Sequence, residues 1–192
     1  RLDILQQHQR HQGDAPAAMS TYSSGLGVLG TPSATNGDLM YRLARVQSRQ
    51  AGWQDWTTTL ALVSRAIEAD EFMHNWSRLQ SHFLRGEVLI QLEQLAEAKS
   101  EFEWVLESQP NDYFALLRLG QLYWDLDGNA DKARQYFLAA AEIDPATKWA
   151  YSRLAQLYVE LDQFDLADEY FARVIERDPS DRAANEWKVR QQ

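Results

Sequence analysis

The stretch that decides the fold runs over residues 113–147 and reads YFALLRLGQLYWDLDGNADKARQYFLAAAEIDPAT. From Tyr113 to Leu126, apolar residues recur every three or four positions, which is the spacing of a buried helical face. The same spacing resumes from Ala130 to Ala140, after a turn that contains glycine and asparagine. Pro145 lacks an amide hydrogen and ends the second segment. The stretch therefore predicts two helices joined by a short turn.

Two small residues in this stretch, Gly120 and Ala133, predict where the two helices touch. A larger side chain at either position would push the helices apart. Phe137 has the size to fill the space beside that contact. We therefore expect an antiparallel helix pair with these three residues at its centre.

The same pattern recurs along the chain with a period of 34 or 35 residues. Four kinds of marker share this period: the small residues Gly86, Gly120 and Ala155; the alanines Ala98, Ala133 and Ala167; the phenylalanines Phe102, Phe137 and Phe171; and the prolines Pro110, Pro145 and Pro179. The step of 35 falls in different places because the turn at Asp127-Gly128-Asn129 holds one extra residue. The agreement of four markers indicates a series of helix pairs.

This order of small, aromatic, small, aromatic and terminal proline residues resembles the tetratricopeptide-repeat family. It is met by Gly120, Tyr123, Ala133, Phe137 and Pro145, by Ala155, Tyr158, Ala167, Phe171 and Pro179, and, with Leu89 in place of the first aromatic residue, by Gly86, Ala98, Phe102 and Pro110. Arg85 departs from the pattern, since the family usually has an apolar residue there. The resemblance implies an all-α fold, a right-handed solenoid of antiparallel helix pairs with about four to five repeats and a C-terminal capping helix.

The frame predicts the organisation of the whole chain. Residues 1–36 are weakly similar to a repeat and include a loop at Thr31 to Gly37, and residues 37–71 form a degenerate repeat. Clear repeats follow at 79–112, 113–147 and 148–181, and residues 182–192 form the capping helix, with a longer turn expected at Phe72 to Asn75. In the cap, Ala183, Ala184 and Trp187 are expected on one face, since the end of a solenoid must cover its last apolar surface.

Composition excludes several classes of function. The net charge of −9 divides into +2 for residues 1–65, with six Arg and four Asp, and −11 for residues 66–192, with 13 basic and 24 acidic side chains. The acidic part repels phosphate backbones, so we expect no nucleic-acid partner. No run approaches the roughly 18 apolar residues of a membrane helix, so we expect no membrane insertion of this segment. The absence of Cys excludes disulfides and thiolate metal sites.

The chain begins at Arg1 rather than Met, which predicts a fragment of a longer chain or the part that remains after a leader or membrane segment is removed. The compartment stays open between cytoplasmic and extracytoplasmic, because a cysteine-free segment suits either redox setting.

The patterns that could signal catalysis are incomplete. Residues 25–30 match G-x-G-x-x-G, but a polar loop follows them instead of a helix, and no βαβ pattern is present. His8 and His11 could face one metal ion, yet no third ligand is evident. The acidic clusters lack the spacing of a calcium loop. We therefore predict that the chain is not an enzyme, with no catalytic residue, metal or cofactor.

The family resemblance implies that the first helices of the repeats line a concave groove that binds a peptide or helix of a partner protein. The corresponding groove positions are Tyr41, Arg45, Phe83, Glu87, Phe114, Leu117, Arg118, Gln121, Trp124, Trp149, Ser152, Arg153 and Gln156. Arg118 and Arg153 are equivalent positions one repeat apart, while Glu101 and Arg134 are expected on the opposite, convex face. For Trp124 and Trp149, packing between repeats is the alternative. Only Arg118 fits the family's clamp for chaperone tails, so that activity is not expected.

Two functions remain. The first is a non-catalytic scaffold for protein–protein interaction. The alternative is an accessory repeat domain, in the cytoplasm or outside it, of a larger membrane-bound or enzymatic protein. Self-association through the glutamine-rich N-terminus is a further alternative, and the sequence does not identify the partner.

Overall fold

The computed structural model describes residues 17, 20, 22–24, 34–50, 52, 54–69, 72 and 75–190, and these residues form helices and turns without a strand. Their helices in chain order are α1 (Ala34–Arg49), α2 (Trp56–Ala69), α3 (Asn75–Gln91), α4 (Leu95–Ser108), α5 (Tyr113–Asp125), α6 (Ala130–Ile143), α7 (Trp149–Glu160), α8 (Phe164–Arg177) and α9 (Arg182–Arg190). The predicted all-α fold is confirmed for this part of the chain.

The chain divides into two compact units, residues 1–105 and residues 106–192, and the division falls within α4. We call them the first unit and the second unit. Each unit has its own apolar core, so each is described separately.

The core of the first unit joins α1, α2 and α3. Tyr41 and Ala44 of α1 pack with Val63 of α2 and with Leu84 and Val88 of α3, and all five are buried. On α1 and α3 these residues recur at helical spacing, and on α2 the partly buried Leu60 and Ile67 flank Val63 at the same spacing, so each helix turns one apolar side inward.

A close contact between α3 and α4 explains why a glycine begins the repeat pattern. A Cβ atom added to Gly86 would lie 2.7 Å from Cζ of the Phe102 ring. Phe102 is fully buried, so the ring has little room to move away. Any larger residue at position 86 would therefore force the two helices apart.

The second unit repeats this arrangement within residues 113–147. A Cβ atom added to Gly120 would lie 2.5 Å from Cε1 of Phe137. Ala133 and Phe137 are both fully buried beneath α5. The predicted close approach of the two helices is confirmed at Gly120, with Ala133 buried as expected.

Side chains and backbone conformation set the ends of the helices. Asp112 caps α5 by accepting a 2.9 Å hydrogen bond from the amide of Ala115, and Asn129 caps α6 by accepting a 3.0 Å bond from Lys132. In the turn between α5 and α6, Gly128 has a φ of +60°, a left-handed conformation that glycine adopts without strain. The short turn predicted between the two helices is confirmed.

Helix α9 covers the end of the second unit, but only part of its predicted contact face is correct. Ala184 is fully buried, and the Trp187 ring stacks on Phe171 with centroids 5.2 Å apart. Ala183 is exposed. Adjacent helical residues point about 100° apart, so only one of the two alanines can face the core.

Two loop predictions need correction. The segment Thr31 to Gly37 was expected to be a loop, but α1 already begins at Ala34. Gly37 is buried, and Leu39 and Leu43 of α1 pack on Tyr22, so tertiary packing outweighs the low helix propensity of glycine. Likewise, Phe72 lies outside a helix as expected, whereas Asn75 is the first residue of α3. The glycine motif at 25–30 and the pair His8 and His11 lie outside the described residues.

Candidate partner-binding surfaces

A pocket of about 410 Å³ opens between α1 and α3 in the first unit. It collects the four groove residues that the sequence predicted for this unit, and its full lining is Tyr41, Arg45, Ser48, Arg49, Trp56, Gln80, Phe83, Leu84, Glu87, Val88 and Gln91. We call it the Arg45 pocket. Its volume falls within the range of roughly 300–1,000 Å³ that is typical of ligand sites.

One wall of the Arg45 pocket is positively charged. Burial raises the pKa of the Tyr41 hydroxyl, while the charge of the neighbouring Arg45, a hydrogen bond with it, and the charges of Arg49 and Arg42 oppose that rise. Neither Arg45 nor Arg49 forms an ion pair with a carboxylate of the described residues. Glu87 lies on the opposite wall. Two cations and one anion leave the pocket with a net positive charge.

Aromatic contacts fix the apolar part of this pocket. The Phe83 ring meets Phe102 edge-on at 5.3 Å, and the Tyr41 ring meets Trp76 edge-on at 6.2 Å. Such contacts hold the rings in place before any partner binds. The lining residues Arg49 and Gln91 were not predicted, although each follows a predicted residue by four positions and so shares its helical face.

The second unit presents two aromatic side chains at the starts of α5 and α7. Phe114 is 61% exposed and Trp149 is 58% exposed. The Lys148 ammonium lies 5.2 Å from the Trp149 ring centroid, within range of a cation–π contact. Large exposed aromatic residues are typical of interaction surfaces.

The same two helices each carry an arginine, Arg118 on α5 and Arg153 on α7. Burial lowers the pKa of the Arg153 guanidinium, the charge of Arg118 lowers it further, and the charge of Asp125 opposes both. Arg153 also donates a 3.2 Å hydrogen bond to Gln156. Gln121 donates a 2.7 Å bond to Asp125, which fixes that carboxylate on the same helix. The structure therefore brings the predicted arginines into electrostatic range of each other.

The remaining predicted residues of this unit differ in exposure. Leu117 and Trp124 are half-buried and pack against the core of the second unit. Ser152 is half-buried and Gln156 is exposed. We call Phe114, Arg118, Trp149 and Arg153 the arginine–aromatic surface; its two rings are exposed and its two arginines are half-buried. Trp124 thus has a packing role in the structure, whereas Trp149 projects from the surface.

A polar cluster lies between α3 and α4 and includes Glu101, which the sequence places on the convex face. Only 12% of the Glu101 side chain is exposed. It accepts a 2.5 Å hydrogen bond from Arg85 and forms a 2.9 Å bond with Nδ1 of His82. The His82 ring in turn stacks on Trp104 with centroids 3.6 Å apart. The cluster explains Arg85, because the guanidinium meets Glu101 where an apolar side chain would leave that carboxylate with His82 as its one partner in the cluster.

Two negative findings concern the described part of the chain. None of the helices in that part contains an apolar stretch of the length that a membrane span requires. No group of three or more His, Cys, Asp or Glu side chains in the same residues could hold a metal ion.

Comparison with known proteins decides the family. Two profiles described as tetratricopeptide repeat match the chain, one over residues 83–146 and the other over residues 126–186. Together they cover residues 83–186, which is more than half of the chain. The chain belongs to the tetratricopeptide-repeat (TPR) family.

Solved TPR structures share the fold. A TPR protein from Parabacteroides merdae has a TM-score of 0.78 at 19% identity, over 96% of this chain and 69% of its own. YrrB, described as a TPR protein with an unusual peptide-binding site, has a TM-score of 0.71 at 23% identity, over 92% of this chain and 84% of its own. These similarities confirm an all-α helical-repeat solenoid.

A curated relative shares a TPR segment of this chain. The protein CTR9 homolog of Arabidopsis thaliana is 35% identical over 81 residues, which are 42% of this chain and 7% of that protein. The match thus spans a small part of a much longer plant protein.

Proposed function

We propose that this TPR chain is a non-catalytic scaffold that binds a segment of a partner protein on the first helices of its repeats. In the second unit, the arginine–aromatic surface would make the contact. The observation that carries the proposal is the pair Arg118 and Arg153, which lie within electrostatic range of each other. Each follows an exposed ring, Phe114 or Trp149, by four residues on its helix and so shares its helical face.

The physics of this surface favours an electron-rich ligand. Two guanidinium groups whose charges repel each other gain energy when a carboxylate or carbonyl oxygen comes between them. The exposed rings supply apolar area that is buried on binding. Arginine, tryptophan and tyrosine are the residue types that most often dominate the binding energy of an interface. The description of YrrB as a peptide-binding TPR protein supports the same kind of ligand.

The alternative is that the repeats serve as an accessory domain of a larger protein. The observation that favours it is the plant relative, in which the matching segment is only 7% of the length. The two proposals are compatible, since an accessory repeat domain also acts by binding.

The test of the scaffold proposal uses random twelve-residue peptides, displayed on phage and selected on the full chain. Arg118→Ala with Arg153→Ala should weaken the selected peptides at least tenfold, since losing a charged contact typically costs about 2–5 kcal/mol of binding. The helical circular dichroism should stay unchanged, which separates a loss of binding from a loss of fold.

The matched control is Arg134→Ala with Arg182→Ala. This double change also removes two positive charges from the second unit. Arg134 pairs with Asp131 and Arg182 pairs with Glu186, and both ion pairs are partly or fully exposed. The control should bind like the parent. The proposal fails if no peptide is selected, or if the control loses binding while the Arg118 and Arg153 variant keeps it.

A further inference from the structure

We infer that the Arg45 pocket of the first unit is a subsite for an acidic side chain within an extended, internal segment of the partner, with an aliphatic side chain beside it. The inference rests on the proposed function and specifies the chemistry of the partner. It concerns different residues in a different unit from the arginine–aromatic surface.

Charge is the first argument. Several other partly buried cations of the described chain meet carboxylates: Arg85 meets Glu101, and Lys148 meets both Asp178 and Asp181. Arg45 and Arg49 lack such a pair among the described residues, although they line a concave site. Arg45 is half-buried, and a half-buried cation is stabilised by a counter-charge. A partner can supply that charge from the open side of the pocket, where the exposed Arg49 adds a second positive charge.

Geometry is the second argument. Arg45 and Arg49 are four residues apart on α1, so their side chains are neighbours on one helical face. The two oxygens of one carboxylate can accept hydrogen bonds from both guanidinium groups. The Tyr41 ring packs edge-on against Trp76 and holds its hydroxyl beside Arg45, which limits the freedom of that side chain.

The apolar wall specifies the neighbouring residue of the ligand. Phe83 and Trp56 line the pocket together with the buried side chains of Leu84 and Val88. An aliphatic side chain that follows or precedes the acidic residue would bury its surface here. A lone acidic residue would leave this wall in water, so the pocket favours an acidic–apolar pair.

Length argues for an internal segment instead of a chain end. The lining of α3 runs from Gln80 to Gln91, which at 1.5 Å per residue is about 16 Å of helix. An extended peptide covers that distance with about five residues. The glutamine amides at the two ends can each donate to and accept from a peptide backbone, so a chain can pass through the pocket on both sides.

The experiment uses the same display library, in which each random peptide is joined to phage protein at both ends and has no free carboxyl terminus. Wild type should enrich peptides with Asp or Glu at one position next to Leu, Ile, Val or Phe. Arg45→Gln with Arg49→Gln should abolish that acidic preference. In a synthetic peptide with an amidated end, replacing the selected Glu by Gln should weaken binding to wild type about tenfold.

A single charge reversal tests the same pocket independently of whether the double variant folds. Arg49 is exposed, so Arg49→Glu should fold, and it should now enrich Lys or Arg where wild type enriches Asp or Glu. The matched control, Arg65→Glu, reverses an exposed charge on α2 outside the pocket and should keep the acidic preference.

Each opposing result has its own meaning. The inference is overturned if no acidic position is enriched, if the Arg45 and Arg49 variant retains the preference, or if acidic residues are enriched only in a parallel library with free carboxyl termini. Loss of the acidic preference in the Arg118 and Arg153 variant alone would overturn this inference while leaving the proposed function intact. Failure to select any peptide would overturn both.

Discussion

At the scale of single residues, Gly120 controls how closely α5 and α6 approach. Its missing methyl group leaves room for the Phe137 ring, just as Gly86 leaves room for Phe102. Both rings are fully buried, so they cannot rotate into solvent to admit a larger neighbour. The recurring pattern of glycine and phenylalanine is therefore a steric requirement of the helix pair.

Replacing Gly120 by Ala should destabilise the chain despite the better helix propensity of alanine. Overpacking a core costs about 1–3 kcal/mol, and the gain in propensity returns only about 0.5–1 kcal/mol. Urea unfolding followed by circular dichroism measures the difference. Phe137→Leu in the same chain should reduce the cost of Gly120→Ala, because the smaller side chain leaves space for the added methyl group. Equal costs in both backgrounds would mean that the ring is not what limits position 120.

Gly128 provides a control in which only the backbone matters. Its φ is +60°, and an added Cβ would meet no atom within 4 Å. Gly128→Ala should therefore cost about 1–2 kcal/mol through backbone strain alone. The same change in the Phe137→Leu background should cost the same amount, which separates the conformational requirement at position 128 from the packing requirement at position 120.

The buried carboxylate of Glu101 should make stability depend on pH. Burial on its own would raise the pKa of Glu101, but the hydrogen bonds from His82 and Arg85 lower it below its ordinary value of 4.5. The unfolded chain therefore binds the proton more readily than the folded chain. The stabilisation is complete above about pH 4.5 and is lost as the pH falls through the lower folded pKa.

Glu101→Gln tests this linkage. It should cost about 1–3 kcal/mol near neutral pH, since one amide oxygen replaces a charged acceptor of two bonds. It should also flatten the loss of stability below pH 4.5, measured by urea unfolding at a series of pH values. The control Glu186→Gln removes a solvent-exposed pair with Arg182 and should change stability by less than about 1 kcal/mol. If the free energy of unfolding of both variants depends on pH as it does in the parent, Glu101 is not the group responsible for that dependence.

At the scale of helices, the turn inside each clear repeat closes in the same way. Glu93, Gly128 and Asp162 all have a φ between 56° and 60°. The amide that follows each of them donates back to the preceding helix, as from Gln94 to Leu89 and from Gln163 to Tyr158 at 2.9 Å. This left-handed residue lets the second helix turn back on the first, and glycine is present at one of the three sites.

Helix α9 contacts α8 through the aromatic side chain of Trp187. Trp187 stacks on Phe171, and its indole N–H donates to Asp168. Trp187 is half-buried, so Trp187→Ala should cost about 1–3 kcal/mol, less than a fully buried tryptophan. Amide exchange should rise in α9 and at the facing residues of α8. Ala183→Ser, at the exposed neighbour, should leave exchange unchanged, and the reverse outcome would place Ala183 at the contact.

The sequence predicted which segments are helical better than it predicted where each helix begins and ends and which of its residues are buried. The period of 34–35 residues depends on local sterics, so Gly120 and Phe137 could be placed without a structure. The start of α1 could not, because packing of Leu39 and Leu43 on Tyr22 decides it. Nor could the position of Glu101, whose partners lie 16 and 19 residues away on another helix.

At the scale of the whole molecule, the chain is an acidic repeat protein that carries local sites of positive charge. The net charge is −9, yet Arg45 with Arg49 and Arg118 with Arg153 stand on the first helices of their repeats. The family resemblance was enough to indicate Tyr41, Arg45, Phe83 and Glu87 as groove positions, and these four residues line one pocket. It could not predict that Trp56 of α2 completes that pocket, because this contact depends on how the helices pack.

Binding on the first helices is tested most directly by following the indole N–H signals of the seven tryptophans in a ¹⁵N NMR titration with a display-selected peptide. Trp149 on the arginine–aromatic surface, or Trp56 in the Arg45 pocket, should shift in proportion to occupancy. Trp104, stacked on His82, and Trp187, bonded to Asp168, should stay unchanged. Shifts confined to Trp104 or Trp187, with Trp56 and Trp149 unmoved, would contradict binding on the first helices.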